Sequence, residues 1–361
     1  MKDWVVALSA VASGRSAWLV VGVSGMAYAR GLSAIWALPG YVLVELFMCW
    51  FVGVRLRRFS AMSDDITVPD YLESRFRDTT HILRIASVVL FFLFVAPYLA
   101  AQFSAGGKAF ASSIGVSPVW GVTITALIVL VYTVLGGFLG VSLTDVLQAL
   151  LMIIGLLVLP IVCVYNAGGV GEVLHALQAQ DAALVDPLSL GLGALIGFLG
   201  IGLGSPGNPH ILVRYMSIEN PDRLRRSALY GTLWNVLMGW GAIWIGLAGR
   251  TFIPENILPG GDTEYIFPAL AAQFFPPVLL GLMIAAILAA IMSTADSQIL
   301  IVASGVTRDI IQKLTAWGKR LSERSLVALS RWVVVLLVPV SYTHLRAHET
   351  SLHLVCRLLL E

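Results

Sequence analysis

Residues 200–215 read GIGLGSPGNPHILVRY, in which four glycines and two prolines interrupt an otherwise apolar run. Proline removes a backbone donor and clashes with the preceding helical turn, so this run cannot form one continuous helix. At membrane depth, interrupted helices are tolerated only where they line a cavity or are covered by protein. The spaced glycines mimic a GxGxxG fingerprint, but no βαβ pattern surrounds them, which argues against dinucleotide binding. The run therefore predicts a broken helix beside a cavity, with a simple interhelical loop as the alternative.

The sequence on both sides of this run has the composition of a membrane protein. Of the 361 residues, 58% are hydrophobic and 12% are charged, whereas soluble domains carry about 25% charged residues. A membrane-spanning helix needs about 20 mostly apolar residues. We therefore predict nine spans, near residues 4–28, 34–56, 82–112, 117–137, 144–166, 188–218, 227–250, 276–306 and from about 325.

The charges of the loops predict the orientation of these spans. Successive loops between the spans lie on alternate sides of the membrane. The loops of one side contain fifteen Lys and Arg residues, and those of the other side contain three. Basic loops stay on the cytoplasmic side, so the N-terminus is predicted to start inside. The larger set consists of Arg55, Arg57, Arg58, Arg75, Arg77, Arg84, Arg214, Arg223, Arg225, Arg226, Arg308, Lys313, Lys319, Arg320 and Arg324, and the smaller set of Arg30, Lys108 and Arg250.

Several classes of function are disfavoured by the composition. The net charge of +2 and the lack of a basic stretch with interleaved aromatics give no sign of a nucleic-acid partner. The three cysteines form no CxxC pair, so neither a disulfide framework nor a zinc site is supported. The histidines outside the C-terminal tail are dispersed, which makes an intramembrane enzyme an unfavoured interpretation.

The C-terminal residues 340–361, VSYTHLRAHETSLHLVCRLLLE, interrupt a helix that RWVVVLLVPV begins. They resemble one-frame translations of sequencing-library adapter DNA. We interpret them as a non-native tail, with a genuine cytoplasmic tail as the alternative, and assign no chemistry to them.

The first span, ALSAVASGRSAWLVVG, places small residues and a charge at mid-membrane depth around Gly14 and Arg15. An unwound stretch here would free backbone carbonyls to bind an ion. The alternative is a close helix contact through small residues, with Arg15 paired elsewhere.

The segment 288–309, LAAIMSTADSQILIVASGVTRD, places Ala290, Ser293 and Thr294 on one helix face, since they are spaced i, i+3 and i+4. Two hydroxyls and a carbonyl suit a hard cation such as sodium, which prefers oxygen ligands. The alternative is that the hydroxyls bond back to the carbonyls of the preceding turn. Asp296 is an intramembrane carboxylate and therefore a functional candidate.

Two further carboxylates are weaker candidates. Asp145 opens a predicted helix, where an N-terminal cap is the plainer interpretation. Glu45 lies in the middle of a predicted span, where a tilted helix would place it in a polar crevice.

Together these stretches resemble the sodium:solute symporter family, and most closely its sodium/proline branch. The matching segments also include TVPDYLESRF and VYTVLGGFLGVSLTDVLQALLMI, and they extend from residue 4 to about 310. The resemblance implies an all-α polytopic membrane protein with a LeuT-like inverted-repeat fold. Within a transporter core of residues 1–339, it implies a first repeat at 4–166 and an incomplete second repeat at 188–339. It also implies truncation at both ends of the core.

The resemblance also implies roles for individual residues. Backbone oxygens of Ala12, Arg15 and Ala290 and the hydroxyls of Ser293 and Thr294 would bind sodium. Asp145 would lie on the cytoplasmic ion route, with Asp296 as a second coupling candidate. The implied substrate-facing residues are Ser16, Ala17, Trp18, Gly204, Ser205 and Asn208.

The sequence departs from the family pattern in two places. Proline-type members carry Asp where this chain has Gly14, and the positive charge of Arg15 follows directly. We expect this charge to weaken or replace a bound cation unless Asp296 neutralises it. The aromatic residue that proline transporters have at the position of Ser205 is also absent, which leaves proline itself open as the substrate.

The expected function is therefore sodium-coupled import of a small organic solute by alternating access, and not an enzyme activity. The expected solute is an amino acid such as proline or a related carboxylate. The expected location is a bacterial-type inner membrane, with lipid, sodium and solute as partners and the oligomeric state open. The alternatives are sodium-independent or proton-coupled transport, and the transporter-like sensor module of a membrane histidine kinase.

Overall fold

The computed structural model describes residues 3–347, and these residues are almost entirely helical with no strand among them. The α-helices are α1 Asp3–Gly14, α2 Ser24–Arg30, α3 Ala37–Phe47, α4 Val54–Ser63, α5 Val68–Phe76, α6 Ile82–Ile114, α7 Pro118–Asn166, α8 Val170–Gln180, α9 Leu192–Gly200, α10 Pro209–Ser217, α11 Leu224–Phe252, α12 Ile266–Phe274, α13 Pro277–Ser304 and α14 Glu323–Ala347. Three π-helical turns, Trp18–Val23, Met48–Gly53 and Gly305–Gln312, extend or join neighbouring α-helices.

Six helical stretches within the described residues are long and apolar enough to cross a membrane. They are Trp18–Ser63, Ile82–Ile114, Pro118–Asn166, Pro221–Phe252, Pro277–Gln312 and Glu323–Ser341. Large apolar side chains such as Phe94, Leu135 and Trp332 are exposed on them. An apolar surface of this kind fits contact with lipid rather than water.

The nine predicted spans become six because 4–28 and 34–56 both overlap Trp18–Ser63, 188–218 contains only the shorter apolar helix Leu192–Gly207, and two spans merge in α7. Helix α7 contains two predicted spans, 117–137 and 144–166, joined at Gly137, whose φ of 57° and ψ of −167° lie outside the helical region. Tyr132, before Gly137, donates to Asp296, and Asp145, after it, accepts from Arg214, which also donates to Ser297 next to Asp296. Thirteen residues of straight helix would separate Tyr132 from Asp145 by about 20 Å. The chain therefore folds back at Gly137.

Helix α1 is interrupted at the predicted place. It ends at Gly14, and the next helical turn starts at Ala17. The amide of Arg15 donates to the carbonyl of Ala12 at 3.2 Å, and the amide of Leu19 donates to the carbonyl of Ser16 at 3.0 Å. The residues between these bonds lie outside a regular helix, so their carbonyls are available to other partners.

The glycine-rich run 200–215 is also broken, but it is not an irregular loop. Ile201–Gly207 forms a tight 3-10 helix, and Asn208 leaves the helical region with φ −81° and ψ 99° before Pro209 starts α10. A Cβ on Gly202 would lie 2.4 Å from the carbonyl oxygen of Gly40 in α3. Glycine is required at Gly202 because the 3-10 helix lies directly against the α3 backbone.

Helix α13 lies at the centre of the bundle. It packs against α6, α7 and α1, and its residues from Ala289 to Gln298 are buried apart from Met292. Its apolar side chains join two core clusters, one with α7 and α11 and one with α6 and α14. The polar face of α13 is therefore held inside the protein, opposite the break in α1.

Ion pairs and hydrogen bonds define two ends of the bundle. On one end, which we call the basic side, Arg57 donates to the carbonyl of Ile218 at 2.6 Å and Arg58 pairs with Asp222 at 2.7 Å. On the same side α5 is joined to the end of α13 by Thr67, which donates to Asp309 at 2.7 Å. The other end, which we call the opposite side, is marked by an ion pair of Lys108 that is described below.

The division of the core 1–339 into repeats 4–166 and 188–339 stays a prediction. Helix α14 continues through Val340 to Ala347. Residues 348–361 of the predicted non-native tail lie outside the described residues.

Candidate ion and solute site

The hydroxyls of α13 meet the broken end of α1. Ser293 donates to the carbonyl of Ala12 at 3.0 Å, and Thr294 donates to the carbonyl of Ser13 at 3.0 Å. Both hydroxyls also lie 3.2 Å from the carbonyl oxygen of Ala290, one turn earlier in α13. The alternative of back-bonding within α13 therefore holds alongside the long-range contacts to α1.

Four of the five predicted sodium ligands thus surround one buried point. Ala12, Ala290, Ser293 and Thr294 are all almost fully buried. The backbone of Arg15, the fifth ligand, lies one turn from Ala12, to which its amide donates. Neutral oxygens from hydroxyls and unwound backbone are the donor set that a hard monovalent cation prefers, so these residues fit sodium.

Arg15 is paired with Glu45 and not with Asp296, which the sequence offered as one possible counter-charge. Arg15 donates to Glu45 at 2.9 Å and to Asn235 at 2.8 Å, and its guanidinium lies 3.7 Å from the ring centre of Tyr41. Asn235 also donates to Glu45. Because α3 and α11 pack beside the break in α1, a carboxylate from one and an amide from the other compensate the charge.

Asp145 is fully buried and paired, so a helix N-terminal cap does not describe it. It lies seven residues inside the second half of α7. Its Oδ2 accepts hydrogen bonds from Arg214 at 2.7 Å, Ser9 at 2.6 Å and Ser13 at 3.3 Å. Its Oδ1 is buried without a partner. Asp145 therefore joins α7 to α1 and α10.

Asp296 lies next to this group on α13. It accepts a hydrogen bond of 2.5 Å from Tyr132 and one of 2.9 Å from Ser297. Ser297 in turn accepts a bond of 2.6 Å from Arg214. The guanidinium of Arg214 therefore contacts Asp145 directly and reaches Asp296 through the hydroxyl of Ser297. The two buried carboxylates share this one positive charge.

The sequence reasoning missed Arg214 and counted it as a loop residue. It is almost fully buried in α10, as is Arg84 at the start of α6. Ser9, Ser13, Tyr132 and Ser297 were missed as well. One signal was available for Arg214, because it stands in the apolar stretch HILVRYM rather than among other charges.

A cavity of about 790 Å³ extends from the cluster of Asp145, Arg214 and Ser297 towards the basic side. Its lining includes Thr67, Gly137 and Asp309 near the end of the bundle and His210, Arg214 and Ser297 at its inner end. The cavity therefore leads from the basic side to the level of the Asp145–Arg214 pair.

An ion-pair cluster lies on the opposite side. Lys108 near the end of α6 donates to Asp262 and to Glu264 at 2.5 Å each. Burial raises the pKa of Glu264 and Lys108 counteracts part of this effect, so the pKa of Glu264 lies above its ordinary value. The pair joins α6 to the segment before α12.

The predicted substrate-facing residues lie in two groups. Ser16 accepts a bond of 2.8 Å from Tyr98, and the amide of Ala17 donates to Gln102 at 3.0 Å, so both face α6. Trp18 stacks on Tyr41, with ring centres 6.1 Å apart. In the second group Ser205 is buried and its carbonyl accepts the amide of Asn208 at 3.1 Å, while Gly204 is exposed. The place of these residues in a substrate pocket stays a prediction.

Curated relatives of this sequence are proline transporters. The chain is 34% identical over 358 residues to the osmoregulated proline transporter OpuE of Bacillus subtilis, covering 98% of this chain and 72% of that protein. It is 35% identical over 346 residues to a sodium/proline symporter of Staphylococcus aureus, covering 94% of this chain and 66% of that protein. The chain therefore spans about two thirds of the length of these relatives.

Solved structures show the same fold. A substrate-bound, outward-open Na⁺-coupled sialic acid symporter aligns with a TM-score of 0.81 at 21% identity, covering 98% of this chain and 75% of that one. MhsT in complex with L-phenylalanine aligns with a TM-score of 0.63 at 14% identity, covering 95% of this chain and 81% of that one. The predicted all-α, LeuT-like architecture is confirmed.

The family model for sodium:solute symporters matches residues 1–358. The relatives are membrane transporters rather than enzymes, as predicted. With six membrane-length helical stretches in the described part of the chain and a polar site at the break in α1, this multi-pass membrane protein belongs to the sodium:solute symporter family.

Proposed function

We propose that this protein imports a small organic solute together with sodium by alternating access. One observation carries the proposal: Ser293 and Thr294 of α13 meet the carbonyls of Ala12 and Ser13 where α1 is broken. These oxygens form a cation site between two helices that are distant in sequence. A cation bound there would hold α1 against α13, which makes its affinity depend on how the two helices are arranged.

We assign the basic side to the cytoplasm and place the N-terminus of the described chain there, in a bacterial-type inner membrane. The excess of Lys and Arg in the loops of this side supports the assignment. The arrangement is then inward-facing, because the cavity of about 790 Å³ opens to the cytoplasm. On the outer side, Lys108 is bound to Asp262 and Glu264.

The solute is proposed to be an amino acid such as proline or a related carboxylate. The names of the relatives, a proline transporter and a sodium/proline symporter, support this class. Ser16, Ala17 and Trp18, which follow the break in α1, are proposed for one side of the pocket. Gly204, Ser205 and Asn208 are proposed for the other side.

Uptake measurements test the proposal. Vesicles containing the complete gene product are given radiolabelled proline, other amino acids and small carboxylates, with an inward sodium gradient or with equal sodium on both sides. We expect accumulation of one solute class only with the gradient. Equal uptake under both conditions would rule out coupling of solute uptake to the sodium gradient.

Proton coupling is a second candidate because Asp145 and Asp296 share the single guanidinium of Arg214. Two buried carboxylates beside one positive charge favour binding of a proton or a second cation. A pH gradient that drives uptake without sodium would favour this candidate, and Asp296→Asn would then abolish the pH-driven component.

A further inference from the structure

Arg214 makes four hydrogen bonds inside the protein. Its Nε donates to Ser9 at 2.6 Å, one terminal nitrogen donates to the carbonyl of His210 at 2.6 Å, and the other donates to Asp145 at 2.7 Å and Ser297 at 2.6 Å. The guanidinium therefore bridges α10 to α1, α7 and α13. A bridge of this kind forms or breaks when α10 moves relative to the other three helices.

Arg214 lies beside the sodium oxygens at the inner end of the cavity. On the inner side, Ser297 lies one turn after Ser293 and donates to its carbonyl at 2.9 Å. The side chain of Ser13, whose carbonyl accepts from Thr294, lies 3.1 Å from Ser297. Towards the basic side, Arg214 itself lines the cavity. Arg214 and Ser297 therefore lie together where the sodium oxygens approach the cavity.

The charge balance at Asp145 requires a cation in each arrangement. Asp145 is fully buried, and removing a buried carboxylate's counter-charge is strongly unfavourable. Among the described residues, the other guanidinium beside the break, Arg15, is bonded to Glu45 and Asn235. Asp145 Oδ1 has no partner although it is buried, so the carboxylate has room for one more interaction.

We propose that Arg214 is a tethered cation that competes with sodium for Asp145 and thereby gates the path from the sodium oxygens to the cytoplasm. This inference rests on the proposed function. Arg214 holds Asp145 in the arrangement described here, and movement of α10 releases the carboxylate to an incoming ion. When sodium leaves, the guanidinium returns and prevents the ion from rebinding at Asp145.

Equilibrium binding of radioactive sodium to the purified chain in lipid nanodiscs tests the competition. In Arg214→Gln the competing charge is removed, so we expect the half-saturating sodium concentration to fall about tenfold. The double variant Arg214→Gln/Asp145→Asn should not show this fall in the half-saturating concentration, because the carboxylate for which Arg214 and sodium compete is gone. Arg58→Gln, which removes an exposed arginine on the same side, is the matched control and should bind sodium like the wild type.

The outcomes separate this inference from the proposed function. A merely structural salt bridge would leave sodium affinity unchanged or weaker in a folded Arg214→Gln, and either result overturns the inference. If Arg214→Gln does not fold, Arg214→Lys is measured instead. It keeps a charge but loses bonds to Ser9 and His210, so we expect a gain of about threefold, and no gain overturns the inference. If neither the wild type nor Ser293→Ala binds sodium at all, it is the proposed sodium-coupled function that is overturned.

Discussion

The hydroxyl of Ser293 donates a hydrogen bond of 3.0 Å to the carbonyl of Ala12, a residue 281 positions earlier in the chain. In a continuous, regularly bonded α1 the carbonyl of Ala12 would be occupied by the amide one turn later. The break after Gly14 therefore creates the partner that the hydroxyl face of α13 needs.

Removing the α13 hydroxyls should weaken sodium binding. Ser293→Ala and Thr294→Val are each expected to raise the half-saturating sodium concentration at least about tenfold, since a bond to a charged group is worth about 1.5–3 kcal/mol. Solute KM at saturating sodium should change much less. Sodium-dependent uptake measures both values. Ser113→Ala, whose hydroxyl bonds within its own helix, is the control, and an unchanged sodium dependence in both variants would exclude these ligands.

Breaking the Arg15–Glu45 pair should destabilise the protein. Glu45→Gln leaves Arg15 buried without a counter-charge, and such a loss costs about 3–5 kcal/mol. Thermal unfolding in detergent measures the effect. The paired variant Arg15→Met/Glu45→Leu removes both charges and should recover most of the loss. A double variant as unstable as Glu45→Gln would show that the charge balance is not the cause.

Ionisation of Glu264 should lower stability as the pH rises. Burial raises its pKa above the ordinary 4.5, only partly offset by Lys108, so the folded protein binds the proton more tightly than the unfolded chain does. The unfolding temperature is therefore expected to fall as the pH rises through the range just above 4.5. Glu264→Gln should flatten this slope, whereas Glu172→Gln, an exposed carboxylate on α8, should not. An unchanged slope in Glu264→Gln would contradict the assignment.

Docking of α5 on the basic side should have the opposite pH dependence. Burial alone would raise the pKa of Asp70 and of Glu73, but the hydrogen bonds and charge of Arg84 outweigh it, so both values lie below the ordinary ones. This stabilisation is present above the ordinary carboxylate range and is lost as the pH falls through the lowered values.

Hydrogen exchange of residues 68–76 checks this dependence. Protection should decrease on acidification in the wild type, and Arg84→Gln should reduce protection already at neutral pH. Arg77→Gln, in the exposed turn after α5, is the control. Equal protection in Arg84→Gln and wild type would show that Arg84 does not hold α5 in place.

The amino-acid sequence by itself determined the membrane class, the broken run at 200–215, the break at Gly14 and the shared face of Ala290, Ser293 and Thr294. Each of these depends on residues close together in the chain, because hydropathy, proline and glycine act on the local backbone and helical spacing sets which side chains share a face. The reversal at Gly137 was likewise marked by the gap between two apolar runs.

Only the tertiary structure decided which charges meet. Arg214 was counted among loop arginines, yet it lies inside the bundle on Asp145, 69 positions earlier. For Arg15 the sequence offered Asp296 as a possible counter-charge, and the fold pairs it with Glu45 and Asn235. The first pairing depends on where α10 lies relative to α7, and the second on how α3 and α11 lie beside the break in α1. A buried charge takes whichever opposite charge that packing places beside it, because desolvation makes an unpaired charge too costly.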